Sequence, residues 1–318
     1  MGIGTGNPTL SVCVFAYNHE AQLAAALDSV LSQKVNFEFE TIIAEDYSSD
    51  STMQVAQSYR SPYPHLVRIE QSGHREKMMI EGHQTGRYNL FHALRACRGK
   101  YIAFLDGDDY WIDPAKLQKQ VDYLEDHADC SFVFHNVYLK HDRDQSTPKK
   151  TYLPASFPGN RDVRHLLVQA NCAPTSSVVF RRNIPSEFPR IFHTCMFGDW
   201  PLHIFNLNFG KPKYMNEVMG VYTYGSGSWS RKPKVDQVLA IIDFYDQAPE
   251  ILPKDLLHLL PYAQARNNRI VAIEYLRQIR LTRFARHAVR AAWYWILGSL
   301  RSIGARARSA TARSSTAC

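Results

Sequence analysis

The 318-residue sequence predicts an α/β fold, a mostly parallel sheet flanked by helices, with a helical extension after it. Three observations predict it. Short apolar runs alternate with segments of helical periodicity, the order in which right-handed crossovers build a parallel sheet. The run Tyr101-Ile-Ala-Phe-Leu105 is unbroken by any polar residue, as in a strand covered on both faces. That run ends in Asp106-Gly107-Asp108-Asp109, at the carboxyl end where open α/β sheets bind ligands.

The elements follow in order. Residues 9–18 read as the first strand, with Val12, Val14 and Phe15 apolar, broken by Ala16-Tyr-Asn-His-Glu20. Leu23, Ala26, Leu27, Val30 and Leu31 then recur at helical spacing. Phe39-Glu-Thr-Ile-Ile-Ala44 is the second strand, and Ser48-Ser49-Asp50 supplies starting side chains for the next helix. Residues 61–86 lose the pattern, apart from a short strand at 66–69, and read as a basic exposed loop or a lid. A helix over 88–98 leads into the central strand, and Asp113-Pro114 starts another helix. Strands are expected at 130–135, 177–180 and 214–224, with a polar loop over 141–158. Asp199 precedes Trp200-Pro201 and a helical pattern to Leu207, which makes it a helix cap by residue type alone. Tyr224-Gly-Ser-Gly-Ser-Trp-Ser230 reads as a glycine-rich loop able to cover a ligand. The remainder is helical from 235 onward, and residues 304–318 are expected to be disordered.

Composition narrows the function classes. Six cysteines lie scattered without C-x-x-C spacing, which fits reduced thiols rather than a disulfide framework or a zinc site. No basic segment followed by an apolar one opens the sequence, so no secretory leader is expected. Met1-Gly2 suggests myristoylation, but Gly6 stands where that motif wants Ser or Thr. No apolar run approaches the ~20 residues needed to span a bilayer.

The net charge is +7, yet residues 275–318 hold nine arginines and no Asp, Glu or Lys, so the preceding body carries −2 (+7 minus 9). Arg277, Arg280, Arg283, Arg286 and Arg290 fall near one helical stripe, followed by Ala291-Ala-Trp-Tyr-Trp-Ile-Leu297. Arginines around an aromatic segment too short to span point to a helix lying on an anionic membrane surface over 277–303. A helix docked on the body is the alternative. Nucleic acid is not the expected partner, because a solvated arm gains little from Trp293, Trp295, Ile296 and Leu297.

Carboxylates grouped as in Asp106, Asp108 and Asp109 repel one another unless a cation joins them. Their hard oxygens suit Mg²⁺ or Mn²⁺, which bridge carboxylates to substrate phosphates. A solvated Asp-Gly turn is the competing reading, weakened by the buried strand before it and by Tyr110-Trp111 after it.

Taken together, residues 10–230 resemble family 2 glycosyltransferases, GT-A-fold enzymes that use nucleotide-activated sugars. The resemblance is carried by Val14-Phe-Ala-Tyr-Asn-His-Glu20 and by Glu45-Asp-Tyr-Ser-Ser-Asp-Ser-Thr52. It is carried further by 99–111 with Asp113-Pro-Ala-Lys-Leu-Gln-Lys-Gln120, and by Thr175-Ser-Ser-Val-Val-Phe-Arg181 with Phe197-Gly-Asp-Trp-Pro-Leu202. It implies a domain over 1–230, with a nucleotide-sugar half at about 8–125 and an acceptor half at about 126–230, and a helical extension over 231–303. It implies that Phe15, Tyr17, Glu20, Asp46, Arg87 and Asp106 bind the nucleotide, with Tyr17 and Asp46 on the base and Asp106 on the ribose. Asp108 would ligate the metal and Asp199 would be the catalytic base. Asp109, Trp111, Trp200 and Trp229 would belong to loops around donor and acceptor. Glu45 and Tyr47 stand where the family more often has Asp and Gly, and Tyr222-Thr-Tyr-Gly225 lacks the family's late Arg-x-His.

The resemblance thus implies an inverting transferase, most often UDP-dependent, that moves a sugar to a hydroxyl of a glycan or lipid-linked acceptor. It would work in the cytoplasm, peripherally at the membrane. A nucleotidyltransferase would want a glycine-rich basic loop after the first strand, and 16–20 has neither glycine nor Lys. A silent nucleotide-binding or scaffold protein would have no need of both Asp108 and Asp199.

Overall fold

A computed structural model of the protein describes residues 7–144, 146–157, 171–225, 227, 229, 232–277 and 281–314. They fall into two compact units, one within Met1–Asp162 and Cys172–Arg231, the other within Val163–Asn171 and Lys232–Cys318. Met1-Gly2 and residues 315–318 lie outside the described residues.

The first unit opens with β1 (Leu10–Ala16), α1 (Leu23–Leu31), β2 (Phe39–Glu45), α2 (Thr52–Arg60) and β3 (Val67–Glu70). β1 and β2 pair in parallel, with Leu10 opposite Phe39 and Ala16 opposite Glu45, and β3 adds in parallel beyond β2. Leu23, Ala26, Leu27 and Val30 of α1 are fully buried in the core that includes Val12, Val14 and Ile43. Burying each Leu or Val side chain contributes roughly 1.5–3 kcal/mol.

The segment expected as a loop contains a small antiparallel hairpin, β4 (Met78–Ile80) and β5 (His83–Thr85). Its two-residue turn has Glu81 at φ 50° and Gly82 at φ 75°, the geometry that lets twisted strands reverse tightly. Three-residue strands carry no readable periodicity, and Glu81 replaces the usual Asn or Asp signal.

α3 (Arg87–Ala96) then leads to β6 (Tyr101–Asp106), which pairs in parallel with β1 so that Phe15 faces Asp106. A buried polar knot fixes this register. Glu40 accepts from Ser11 Oγ at 2.7 Å and from Arg98 Nε and Nη2 at 2.9 and 2.7 Å. Burial pushes the Glu40 carboxyl up, but the Arg98 and Ser11 donors outweigh it and hold the group below its ordinary range. Gly99 donates to Ser11 Oγ at 2.9 Å, and a Cβ there would sit 2.5 Å from the Ser11 amide nitrogen. Only glycine allows so close an approach.

β7 (Tyr110–Trp111), α4 (Lys116–Asp126) and β8 (Cys130–His141) follow. A 3₁₀ turn at Thr175–Ser177 precedes β9 (Val179–Arg181), and then come α5 (Ile191–Thr194), α6 (Trp200–Asn206) and β10 (Lys211–Tyr224). The eight-stranded sheet runs β3-β2-β1-β6-β9-β8-β10-β7. Four of its neighbouring pairs are parallel, and β9 and β7 are antiparallel to their neighbours. β8 runs six residues past the expected His135, because β10 pairs with it as far as His141 opposite Tyr224. Cys13, Cys97, Cys130, Cys172 and Cys195 are buried thiols.

The second unit holds α7 (Lys234–Gln247), 3₁₀ turns at Ala248–Glu250 and Lys254–Leu259, α8 (Leu260–Arg277) and α9 (Leu281–Ser314). Val235, Val238, Ile242, Val271 and Tyr275 form its core. α9 packs on α8: Tyr262 donates to the Gly298 carbonyl at 3.0 Å, and His287 Nδ1 pairs with Asn268 Oδ1 at 2.8 Å. The proposed five-arginine stripe is divided. Arg277 ends α8, Arg283, Arg286 and Arg290 lie on α9, and Arg280 is outside the described residues. The helix also continues to Ser314 rather than stopping at Gly304, since Ala305, Ala307, Ala310 and Ala312 are strong helix formers. No helix among the described residues is long and apolar enough to cross a membrane.

Candidate active site

The site is built on the turn between β6 and β7. Gly107 donates to the Phe15 carbonyl at 2.7 Å, and a Cβ on Gly107 would lie 2.7 Å from His19 Nδ1 and 2.9 Å from that carbonyl. Thr223 of β10 clamps the other side, its Oγ1 donating to the Asp108 carbonyl at 2.6 Å and its amide to Asp109 Oδ1 at 2.7 Å. Asp109 is therefore turned inward and 1% exposed, a latch on β10. Burial first, then Asp108 and Asp106, push its carboxyl well up. Trp111 is likewise core: it is 4% exposed, its amide donates to Ser29 Oγ at 3.1 Å and its indole to the Ser176 carbonyl at 2.8 Å. Lys116 stacks its amine 4.0 Å from the Trp111 ring centre, and burial alone pushes that amine well below its ordinary range. These inward groups make the turn stiff and leave Asp106 and Asp108 as its partly exposed carboxylates.

On one side lie the loops after β1 and β2, stitched to each other. Ser49 donates to Asn18 Oδ1 at 2.8 Å, His19 to Thr52 Oγ1 at 2.7 Å, and Ser51 to Glu20 Oε2 at 2.9 Å. Glu20 is thus engaged in holding loop to loop. Asn18 and Tyr47 both sit at φ 55°. Asn tolerates that conformation; Tyr pays roughly 1–2 kcal/mol for it. Tyr47 stands where the resembled pattern has Gly, and the Glu45 carboxylate holds the strained turn, accepting from the amides of Tyr47 at 3.0 Å and Ser48 at 2.6 Å. Both departures from the pattern therefore belong to one local solution. Tyr17 is 43% exposed, while Asp46 is 5% exposed and ion-paired with Lys77 at 2.5 Å. Burial raises the Asp46 carboxyl, against the opposing pull of Lys77.

On the other side Asp199 caps α6. Its Oδ1 accepts from the Trp200 amide at 2.8 Å and its Oδ2 from Thr175 Oγ1 at 2.9 Å. Arg87, 2% exposed at the start of α3, donates to the Cys195 carbonyl at 3.0 Å, and its guanidinium senses the Asp199 charge. Trp200 is buried at 1% exposure, with Phe197 packed edge-on against it at 5.1 Å and against Trp229 at 4.7 Å. Of the four residues assigned to surrounding loops, Trp229 and none of the other three is left partly exposed.

The carboxylates of the two sides sense one another. Asp106 is pushed up to about 8, by burial first and then by the charges of Asp108 and Asp199. Tyr222 and Tyr152, with rings 6.3 Å apart, are raised by burial first, Tyr222 then by Asp109, Asp106 and Asp199, and Tyr152 by Asp199. The sequence gives no role to Tyr152, nor to Thr175, Tyr222 and Thr223 within the stretches quoted above, because their roles come from long-range pairing. His19 was within reach of it: the residue lies in the first quoted motif, and its Nε2 is 4.0 Å from Asp108 Oδ2.

Among the described residues no group of three or more His, Cys, Asp or Glu is placed to hold a metal by itself. The donor set fits a different arrangement. A buried acid raised by its like-charged neighbours is relieved by a cation, and hard divalent ions accept one or two protein carboxylates when phosphate oxygens complete the shell. Asp108, with Asp106 beside it, fits that role.

Comparison with known proteins agrees with this architecture. The protein-family model described as glycosyl transferase family 2 matches residues 11–184. An uncharacterised protein of Mycobacterium tuberculosis is 34% identical over 221 residues, 69% of this chain and 60% of that protein. The chain thus spans 60% of the length of that relative. An Escherichia coli enzyme named UDP-Glc:alpha-D-GlcNAc-diphosphoundecaprenol beta-1,3-glucosyltransferase is 30% identical over 133 residues, 42% of this chain and 47% of its own. A Pyrobaculum calidifontis mannosyltransferase solved with GDP-Man and Mn²⁺ shares the fold with a TM-score of 0.58 at 15% identity, covering 95% of this chain and 81% of that one. Staphylococcus aureus TarS with UDP-GlcNAc gives 0.51 at 14% identity, over 88% and 90%. The sheet and its helices have the GT-A architecture of these neighbours. Because the family match takes in more than half of its residues, the chain belongs to glycosyl transferase family 2.

Proposed function

We propose that the protein transfers a sugar from a nucleotide-sugar, a UDP-sugar by preference, to a hydroxyl of a glycan or lipid-linked acceptor, with inversion at the anomeric carbon. The observation that carries this reading is the clamped turn after β6, where Asp106 is raised by burial first and then by the charges of Asp108 and of Asp199, the cap of α6, so that acidic groups from two elements lie near one another. Tyr17 stacks the base, Asp46 accepts its N–H and Asp106 holds the ribose. Asp199 takes the proton of the acceptor hydroxyl as its oxygen attacks the anomeric carbon and the bond to the diphosphate oxygen breaks. One displacement with one base inverts the centre. A divalent cation held by Asp108, when bound, supplies positive charge to the departing diphosphate. The uridine preference rests on the UDP-sugars of the E. coli relative and of TarS, against the GDP-Man of the archaeal neighbour. Calorimetric titration with UDP, GDP and dTDP, each with and without Mn²⁺, tests the reading. It is expected to give metal-dependent binding of one of them, and no binding of any would overturn it.

The same reading sets the enzyme on an anionic membrane, at its cytoplasmic face, where a lipid-linked acceptor is presented. The face of α9 away from Gly298 carries Val289, Trp293 and Ile296 at 70, 60 and 47% exposure, at i, i+4, i+7 spacing. Exposed Arg283, Arg286 and Arg290 accompany them. Apolar groups backed by arginines suit a headgroup layer. Trp293→Glu is expected to weaken co-sedimentation with phosphatidylglycerol vesicles about tenfold while leaving phosphatidylcholine binding low. Unchanged co-sedimentation would remove the membrane from the proposal.

A further inference from the structure

The strap that runs from Gln71 to Lys77 crosses the loops after β1 and β2. Gln71 Nε2 donates to Glu45 Oε2 at 2.6 Å, and the His74 ring stacks on Tyr88 at 4.2 Å. Arg75 lies 5.6 Å from the Tyr47 ring centre. Lys77 ends the strap with its amine 2.5 Å from Asp46 Oδ2, donating also to the Asp46 carbonyl, and 4.0 Å from the centre of the Tyr17 ring. The two side chains of the ion pair are only 10% and 8% exposed. Ile80 is the one residue of 71–80 that is buried, so contacts of polar and cationic groups, not apolar packing, hold the strap down.

Tyr17 and Asp46 offer the two things a nucleobase needs: an aromatic face and an acceptor for a ring N–H. Lys77 uses both. Its ammonium lies over the ring face, a cation–π contact, and it occupies Oδ2 of the carboxylate. A base that stacks on Tyr17 and donates to Asp46 claims the same two partners. We propose that Lys77 is a built-in competitor for the nucleobase, so that nucleotide entry requires the 71–77 strap to swing its lysine out. This deepens the nucleotide-sugar reading and rests on it. The device lowers apparent nucleotide affinity by the fraction of molecules in which Lys77 is already displaced. It also discriminates: a ligand offering only a diphosphate gains nothing that would displace the lysine, whereas a full nucleotide does.

Two measurements on the full chain test it. Calorimetry with UDP and Mn²⁺ is expected to show Lys77→Met binding about tenfold tighter than wild type, the size expected when a competitor occupies about nine molecules in ten. Equal affinity overturns the proposal, and weaker binding overturns it by making Lys77 a contact to the base. The second measurement needs no variant. Acetylation of wild-type protein, read by mass spectrometry, is expected to label Lys77 slowly without nucleotide and several-fold faster with saturating UDP and Mn²⁺. Lys77 protection that UDP leaves unchanged overturns the displacement. If neither wild type nor Lys77→Met binds UDP, GDP or dTDP, the nucleotide reading itself falls, and the competitor with it.

Discussion

Asp199→Asn is expected to slow sugar transfer by about 10²–10⁴-fold, the range a positioned general base supplies, with nucleotide affinity held within twofold of wild type. The substitution is chosen because it separates two roles that one carboxylate performs. Asn caps helices as well as Asp does, and its Oδ1 still accepts from the Trp200 amide in place of the 2.8 Å bond seen here. The proton acceptor is what disappears. Arg87 keeps its bond to the Cys195 carbonyl, so the wall behind the site stays in position. Asp199→Ala, by contrast, also removes the cap and the Thr175 bond, at a cost of about 1 kcal/mol in stability. Steady-state transfer kinetics beside nucleotide calorimetry distinguish the cases. A parallel fall in turnover and nucleotide affinity with Asn would make Asp199 a structural residue.

Asp108→Ala is expected to abolish the Mn²⁺ dependence of nucleotide binding, with affinity in Mn²⁺ falling at least to the level that wild type shows in EDTA. A divalent cation that Asp108 would hold for the diphosphate would lose its protein anchor in this variant. The turn itself is held by the Gly107 amide, the Asp108 carbonyl and the Asp109 carboxylate, none of which the substitution removes. Thermal unfolding in EDTA should therefore match wild type or rise slightly, because Asp106 loses a like-charged neighbour. Nucleotide binding that stays metal-dependent without Asp108 would move the metal elsewhere.

Much of this was written locally in the chain. The β6 run and its acidic stop, the helices after β1 and β2, and the Asp-Trp-Pro start of α6 all announce themselves by periodicity or by cap chemistry, and each lies where expected. Residues whose orientation depends on a distant partner did not. Asp109 and Trp111 read as residues of the loops around donor and acceptor, and nothing in Asp-Tyr-Trp reveals that Thr223 and Ser176 will draw them inward. Lys77 was one cation among several in a basic stretch, and only the fold shows which aromatic ring it covers. The arginine spacing was real, but periodicity assumes one continuous helix, and Arg277 and Arg283 lie on different ones.

The sheet order has a practical consequence for recombination. β7, from the sequence-first half, is hydrogen-bonded to β10 from the second, while β9 slots between β6 and β8. If the acceptor half begins after α4, as proposed, a chimaera joined there is expected not to exchange acceptor preference as a passive module. The imported strand arrives carrying the position of Thr223, and with it the fastening of the host's own Asp-Gly-Asp-Asp turn. Parents that differ at that position should yield hybrids whose donor handling changes along with the acceptor they were built to accept.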